Sequence, residues 1–170
     1  MASPRPTIEI VASALVVYRG HVMLCNQVGK RRHFLPHMPV QFGQAVGSAA
    51  SRAVKALVGI PAMSFTCVSI DEYAFRKDGR KRHCINFTQY VFLQTPTKRK
   101  IRLLPIGDDS PLPELQSRMG DTEVRWHRIR GIEDRTNLFP VTHYQLLRHD
   151  YDFSPGAMCV PLAMSSGIPQ

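Results

Sequence analysis

The chain has only four cysteines, scattered along its length, which argues against a zinc clamp or a disulfide framework. Cys25, Cys67, Cys84 and Cys159 are far apart and form no Cys-x-x-Cys pair. Three of them lie in apolar runs that read as strands, so they are expected as core thiols of a reducing compartment, not as a disulfide or zinc framework. No apolar run reaches the length of a membrane span, and the opening MASPRPTIEI lacks the apolar core of a secretory signal. The expected location is soluble and intracellular, in the mitochondrial matrix or otherwise the cytoplasm. The seven histidines show no metal-ligand spacing and read as surface or core filler. Ser48 and Ser51 have no evident His and Asp partner set, which leaves a serine nucleophile without support. Acid is scarce too, with 13 Asp and Glu against 22 Lys and Arg, and none between Leu35 and Ile60.

What is present suffices for one domain. A chain of 170 residues, 44% hydrophobic and 21% charged, can bury a core without staples, and a second full domain would not fit. The net charge of +9 and pI near 9.8 give a surface that attracts nucleic acid, acidic membranes or acidic protein partners.

In chain order, Ile8 to Tyr18 is rich in β-branched residues, Arg19-Gly20 reads as a turn, and His21 to Gln27 as a second strand. A basic loop, 28–33, leads to Leu35-Pro36. From Gly47 to Leu57, Ala49, Ala50, Ala53, Val54 and Leu57 recur at helical spacing, with Ser48 as the expected cap and Gly59 as the stop. Phe65 to Phe75 and Cys84 to Gln94 read as a long hairpin about an Asp-Gly turn. Thr95 to Gly120 reads as an irregular insertion, Glu123 to Ile129 as a strand, Gly131 to Arg135 as a short helical turn, and Val141 to Arg148 as a closing helix. The predicted organisation is an N-terminal extension (1–7), one domain (8–150) built as a mixed sheet covered by helices, and an extended tail (151–170).

Across residues 8 to 150 the order of hairpin, basic loop, central helix, long hairpin, Trp126 strand and closing helix resembles the Nudix hydrolase family. The family box, G-x5-E-x7-R-E-U-x-E-E-x-G-U with U apolar, falls on 38–60 without a gap. Met38 stands at the first Gly, Gln44 at the first Glu, Arg52 at the Arg, Ala53 at the next Glu, and Ala56 and Leu57 at the Glu pair. Arg52, Val54, Gly59 and Ile60 keep the pattern, and every box carboxylate is missing. Val40-Gln41-Phe42-Gly43-Gln44 resembles a common V-E-F-G-E with both acids turned into amides, and Asn86-Phe87 and Trp126 fall where family members often carry the same residues. The resemblance implies an α/β/α sandwich around a mixed, curved sheet.

For chemistry the resemblance argues the other way. Positions 53, 56 and 57 are three and four apart, so acids there would share one helical face and could hold magnesium against substrate phosphates. Two alanines and a leucine cannot, and Gln41 and Gln44 offer a carbonyl but neither charge nor basicity. Arg52 and Lys55 would repel a cation, Met38 puts a side chain where the family loop needs backbone freedom, and His37 partly fills the groove. The expectation is no enzyme, no catalytic residue, no metal and no cofactor, the acids having been lost by natural drift or, as a minor alternative, by engineering. Among surviving acids, Asp71, Glu72, Asp121 and Glu123 would have to converge with His83 or His127 to form a displaced metal site.

Basic residues concentrate in three presumed loops: Lys30, Arg31 and Arg32; Arg76, Lys77, Arg80, Lys81 and Arg82; and Lys98, Arg99, Lys100 and Arg102, twelve of the 22 Lys and Arg. Phe34 follows the first and Tyr73 and Phe75 precede the second, which points to single-stranded RNA as polyanion. The resulting expectation is a non-catalytic Nudix-fold scaffold in an RNA–protein assembly, such as a mitochondrial ribosome or RNA-processing complex, with RNA or protein subunits as partners. Two alternatives stand beside it: a residual hydrolase of nucleoside diphosphate-linked substrates with a displaced metal site, and a sensor that binds such a nucleotide without cleaving it.

Overall fold

A computed structural model of the chain describes residues 8–77, 80–96, 101–103, 112–129, 132 and 138. The expected N-terminal extension, the helical turn at 131–135 apart from Ile132, the closing helix at 141–148, the tail, Cys159 and Lys98 to Lys100 lie outside the described residues. The described elements run β1 (Ile8–Leu15), β2 (Val17–Tyr18), β3 (His21–Gln27), β4 (His37–Pro39), α1 (Val46–Val58), β5 (Ala62–Lys77), β6 (Arg80–Pro96), β7 (Ile101–Leu103) and β8 (Thr122–Arg128). Five strands make a mixed sheet in the order β4-β1-β6-β5, with β7 added to the end of β6, and β2-β3-β8 make a second sheet. The first is mixed because β1 runs parallel to β6, from Ile8 opposite His83 to Leu15 opposite Tyr90, while its other pairs are antiparallel.

The strand expected over Ile8 to Tyr18 divides at Val16. There the buried chain leaves one sheet for the other, β1 pairing with β6 and β2 with β3. Arg19 and Gly20 both take positive φ, 50° and 70°, the conformation a two-residue hairpin turn requires between Tyr18 and His21. In the expected insertion, β7 pairs antiparallel with the end of β6, and only 112–121 runs between strands among its described residues. That segment is pinned by Trp126, whose indole Nε1 donates to the Pro113 carbonyl at 2.8 Å.

Helix α1 begins one residue before Gly47, capped by Ala45 without a side-chain bond; Ser48 lies inside the first turn and is exposed, so it is not the cap. Its end is as expected: Gly59 takes φ 74°, and its N–H donates to the Lys55 carbonyl at 2.8 Å. A side chain at Gly59 would also collide with the Arg118 guanidinium, whose backbone N–H holds the Leu57 carbonyl at 2.7 Å. Ala49, Ala50, Val54, Leu57 and Val58 pack into a core with Ala12, Ala14, Met23, Cys25, Val91 and Leu93. A second cluster, Leu15, Val22, Leu24, Leu35 and Leu138, fills the opposite side.

Among the cysteines, Cys25 and Cys84 are buried as expected, but Cys67 is exposed, because it lies where β5 bulges at the sheet margin. Burial pushes the Cys25 thiol up to about 12, from 9.0. Since that thiol ionises earlier in the unfolded chain, its contribution to stability is intact below pH 9 and is lost progressively as pH rises from there toward 12. Native-state alkylation at neutral pH, mapped by mass spectrometry, is therefore expected to modify Cys67 rapidly and to spare Cys25 and Cys84 until denaturant is added. No helix among the described residues is long and apolar enough to cross a membrane.

Candidate functional site

The loop before α1 is closed on itself. Gln41 N donates to Gln44 Oε1 at 3.1 Å and Gln44 N returns a bond to the Gln41 carbonyl at 3.0 Å, around Gly43 at φ 76°. Gln41 and Gln44, which stand where the resemblance has acids, thus brace the turn. Met38, in β4, pairs with Ala12 of β1 and is half-buried, while His37 is exposed with its Nδ1 3.0 Å from the Leu35 carbonyl.

Along α1 the three positions expected to share a face divide. Ala53 and Leu57, four apart, are 5% and 3% exposed and belong to the buried side of the helix, whereas Ala56 is exposed with Arg52 and Lys55. A heptad-like spacing fixes which residues are neighbours but not which way the stripe turns, and here the stripe turns into the core. Magnesium requires several oxygen donors. Alanine, alanine and leucine supply none, so that ion does not fit α1. Among the described residues no three His, Cys, Asp or Glu side chains cluster as a metal site.

The surviving acids are only partly brought together. Glu72 Oε1 lies 2.7 Å from His83 Nε2, on the face of β5 and β6 that further along carries Gln89, Val91 and Leu93 toward α1. Asp71 points to the other face and accepts from Ser69 Oγ at 2.9 Å. Asp121 lies in the turn just before β8 and accepts from its neighbour Thr122, while Glu123, within β8, lies 3.4 Å from Arg125. His127 is also in that strand, its ring centroid 4.8 Å from that of His33. Burial lowers the His127 imidazole below its ordinary value, with His33 and Arg125 adding to the effect.

A polar stripe escaped the sequence reading. On the sheet face away from α1, Ser13 Oγ donates to Asn86 Oδ1 at 2.8 Å and Asn86 Nδ2 donates to Thr88 Oγ1 at 3.2 Å, all three buried. Beyond it, Arg82 Nη1 donates to Glu9 Oε1 at 3.0 Å. Burial, with the neighbouring Cys84 thiol, raises the Tyr73 hydroxyl above its usual range, and burial raises Cys84 as well. The one available signal was a serine, an asparagine and a threonine on a strand face that also carries Val11, Leu15, Cys84 and Tyr90.

The described residues of the basic clusters lie on different elements. Lys30, Arg31 and Arg32 are exposed after β3. Arg76 and Lys81 are exposed near the tip of the β5–β6 hairpin, Lys77 and Arg80 occupy the last paired positions there, and Arg82 is engaged by Glu9. Arg102 pairs with Thr95 at the other end of β6, thirteen residues from Arg82, roughly 40 Å at ~3.3 Å per residue.

With two sheets and, among the described residues, one helix that ends in the left-handed Gly59, the fold can be compared with known structures. A Nudix hydrolase from Nitrosomonas europaea superposes with a TM-score of 0.57 at 12% identity, over 85% of this chain and 89% of that one. The fold is the Nudix fold. A MutT protein from Methanosarcina mazei Go1 matches at 0.53 and 16% identity, over 88% of this chain and all of that one. A UDP-X diphosphatase matches at 0.51 and 11% identity, over 87% of this chain and 66% of that one. No family model and no curated protein sequence matches the chain. The Nudix likeness corrects one expectation. A non-catalytic scaffold of a ribosomal or RNA-processing assembly does not stand, because solved proteins that share the fold carry hydrolase titles.

Proposed function

We propose that the chain is a residual hydrolase of nucleoside diphosphate-linked compounds whose acid–base groups lie off α1. The observation that supports this is the Glu72–His83 contact, a carboxylate and an imidazole 2.7 Å apart at a half-exposed position, which is the pair type that moves protons at neutral pH. The substrate class follows the Nudix-fold neighbours, one of which is titled a UDP-X diphosphatase. The box is degenerate in this reading: α1 contributes packing, and no step is routed through a metal held there.

The test is release of phosphate or nucleoside monophosphate from a panel of nucleoside diphosphate-linked compounds, with magnesium or manganese in the buffer. Slow turnover that falls about 100-fold or more in Glu72→Gln, with an unchanged melting temperature, is the expected result. Turnover unaffected by Glu72→Gln and His83→Gln overturns the assignment of the pair. A second reading is favoured by α1 itself, whose Ala53, Ala56 and Leu57 offer a cation nothing: the same compounds are bound and not cleaved. Calorimetric titration against the panel separates the two, since binding without turnover supports the second and removes the first, and silence in both assays removes both.

A further inference from the structure

Strand β5 is the outer strand of its sheet, and among the described residues nothing pairs with its free side. Such an edge offers a row of backbone donors and acceptors to another chain unless proline, inward charge or bulges blunt it. Bulges do so in the first half, between Ser64 and Thr66 and between Cys67 and Ser69; from Ser69 to Lys77 the ladder to β6 is regular. In that regular half the sequence is Asp-Glu-Tyr-Ala-Phe-Arg-Lys, residues 71–77: two acids, an aromatic, alanine, an aromatic, two bases. Read backwards against itself about Ala74, it is complementary at every position.

We propose that the chain forms a two-fold dimer in which β5 pairs antiparallel with β5 of a second copy, centred on Ala74. In that register Glu72 meets Arg76 of the second copy, Asp71 falls opposite Lys77, and Tyr73 opposite Phe75, each pair occurring twice. Antiparallel pairing keeps residues an even number apart on one face. Glu72, Ala74 and Arg76, all exposed in the single chain, therefore line one face of the joint. Tyr73 and Phe75, already in tilted ring contact at 6.1 Å between centroids, line the other with their counterparts. Alanine on the axis lets the two backbones approach.

The hairpin supplies an independent reason. Within one chain Arg76 is opposite Lys81 and Lys77 opposite Arg80, like charges facing across the β5–β6 ladder, an arrangement that is unfavourable in a strand pair. Among the described residues, the nearest ion pairs, Glu9–Arg82 and Glu72–His83, lie on the sheet side of those bases. The second copy adds its Asp71 and Glu72 beside them. The two five-stranded sheets then join into one.

Sedimentation velocity over a concentration series, on the full chain, tests this. The wild type is expected to sediment as a dimer that weakens as salt rises. Arg76→Glu puts two carboxylates opposite each other on both sides of the axis and is expected to raise the dimer Kd about tenfold or more. The exchange Glu72→Arg with Arg76→Glu restores opposite charges and is expected to restore the dimer. Ala74→Cys is expected to give a cross-linked dimer on mild oxidation, whereas the native Cys67, which has no counterpart within reach in this register, is not. A wild type that stays monomeric at its solubility limit overturns the proposal. So does a charge exchange that leaves the Arg76→Glu defect uncorrected in a chain whose circular dichroism is native. The readout is mass, so the outcome is separable from any result on hydrolysis.

Discussion

Leu57→Glu is expected to lower the unfolding free energy by about 3–5 kcal/mol, because it removes a buried leucine and places a carboxylate in the apolar side of α1. Ala53→Glu belongs to the same class, since that position is 5% exposed. Ala56→Glu does not: its side chain faces water between Arg52 and Lys55, so a change within about 0.5 kcal/mol is expected. Urea titrations of the three single variants, followed by the fluorescence of the sole tryptophan, Trp126, check the ranking. Equal tolerance of glutamate at 53, 56 and 57 would show that α1 is free to turn its stripe outward. The expected ranking means that acids are not accommodated at 53 and 57, because those side chains pack into the core.

Asn86→Ala is expected to cost about 2–4 kcal/mol. The asparagine is 1% exposed and is the middle of a chain in which it accepts from Ser13 and donates to Thr88. Truncation leaves the Ser13 hydroxyl without its acceptor in a closed space and opens a small cavity. The double variant Ser13→Ala with Asn86→Ala removes donor and acceptor together, so its total cost is expected to be less than the sum of the two single costs, a difference a thermodynamic cycle reads directly. Additive costs would mean that the 2.8 Å bond between β1 and β6 contributes nothing of its own.

The parts of the fold that were legible in the sequence are the local ones. Ala49 to Leu57 announce a helix by their spacing, Gly59 its stop, and Arg19-Gly20 a tight turn, because each depends on a few neighbouring residues. The parts that were not legible depend on distant partners. Val16 divides a continuous β-branched run only because β6 claims one side of the break and β3 the other. Cys67 looked like a core thiol in an apolar strand, but two bulges bring it to the surface. The candidate site shows the same division: the absence of acids from α1 is visible residue by residue, whereas the meeting of Glu72 with His83 is fixed by the hairpin register, and the burial of Ser13, Asn86 and Thr88 by a parallel pairing no local pattern specifies.

That parallel pairing also governs the order in which the protein can assemble. Ile8 finds His83, and Leu15 finds Tyr90, so β1 is made well before its main neighbour. Contacts this far apart in sequence slow folding, since the intervening chain must be closed before they reward it. During synthesis β1 therefore waits as an apolar segment until β6 has left the ribosome, and the β2–β3 turn and α1, whose partners are near, form ahead of it.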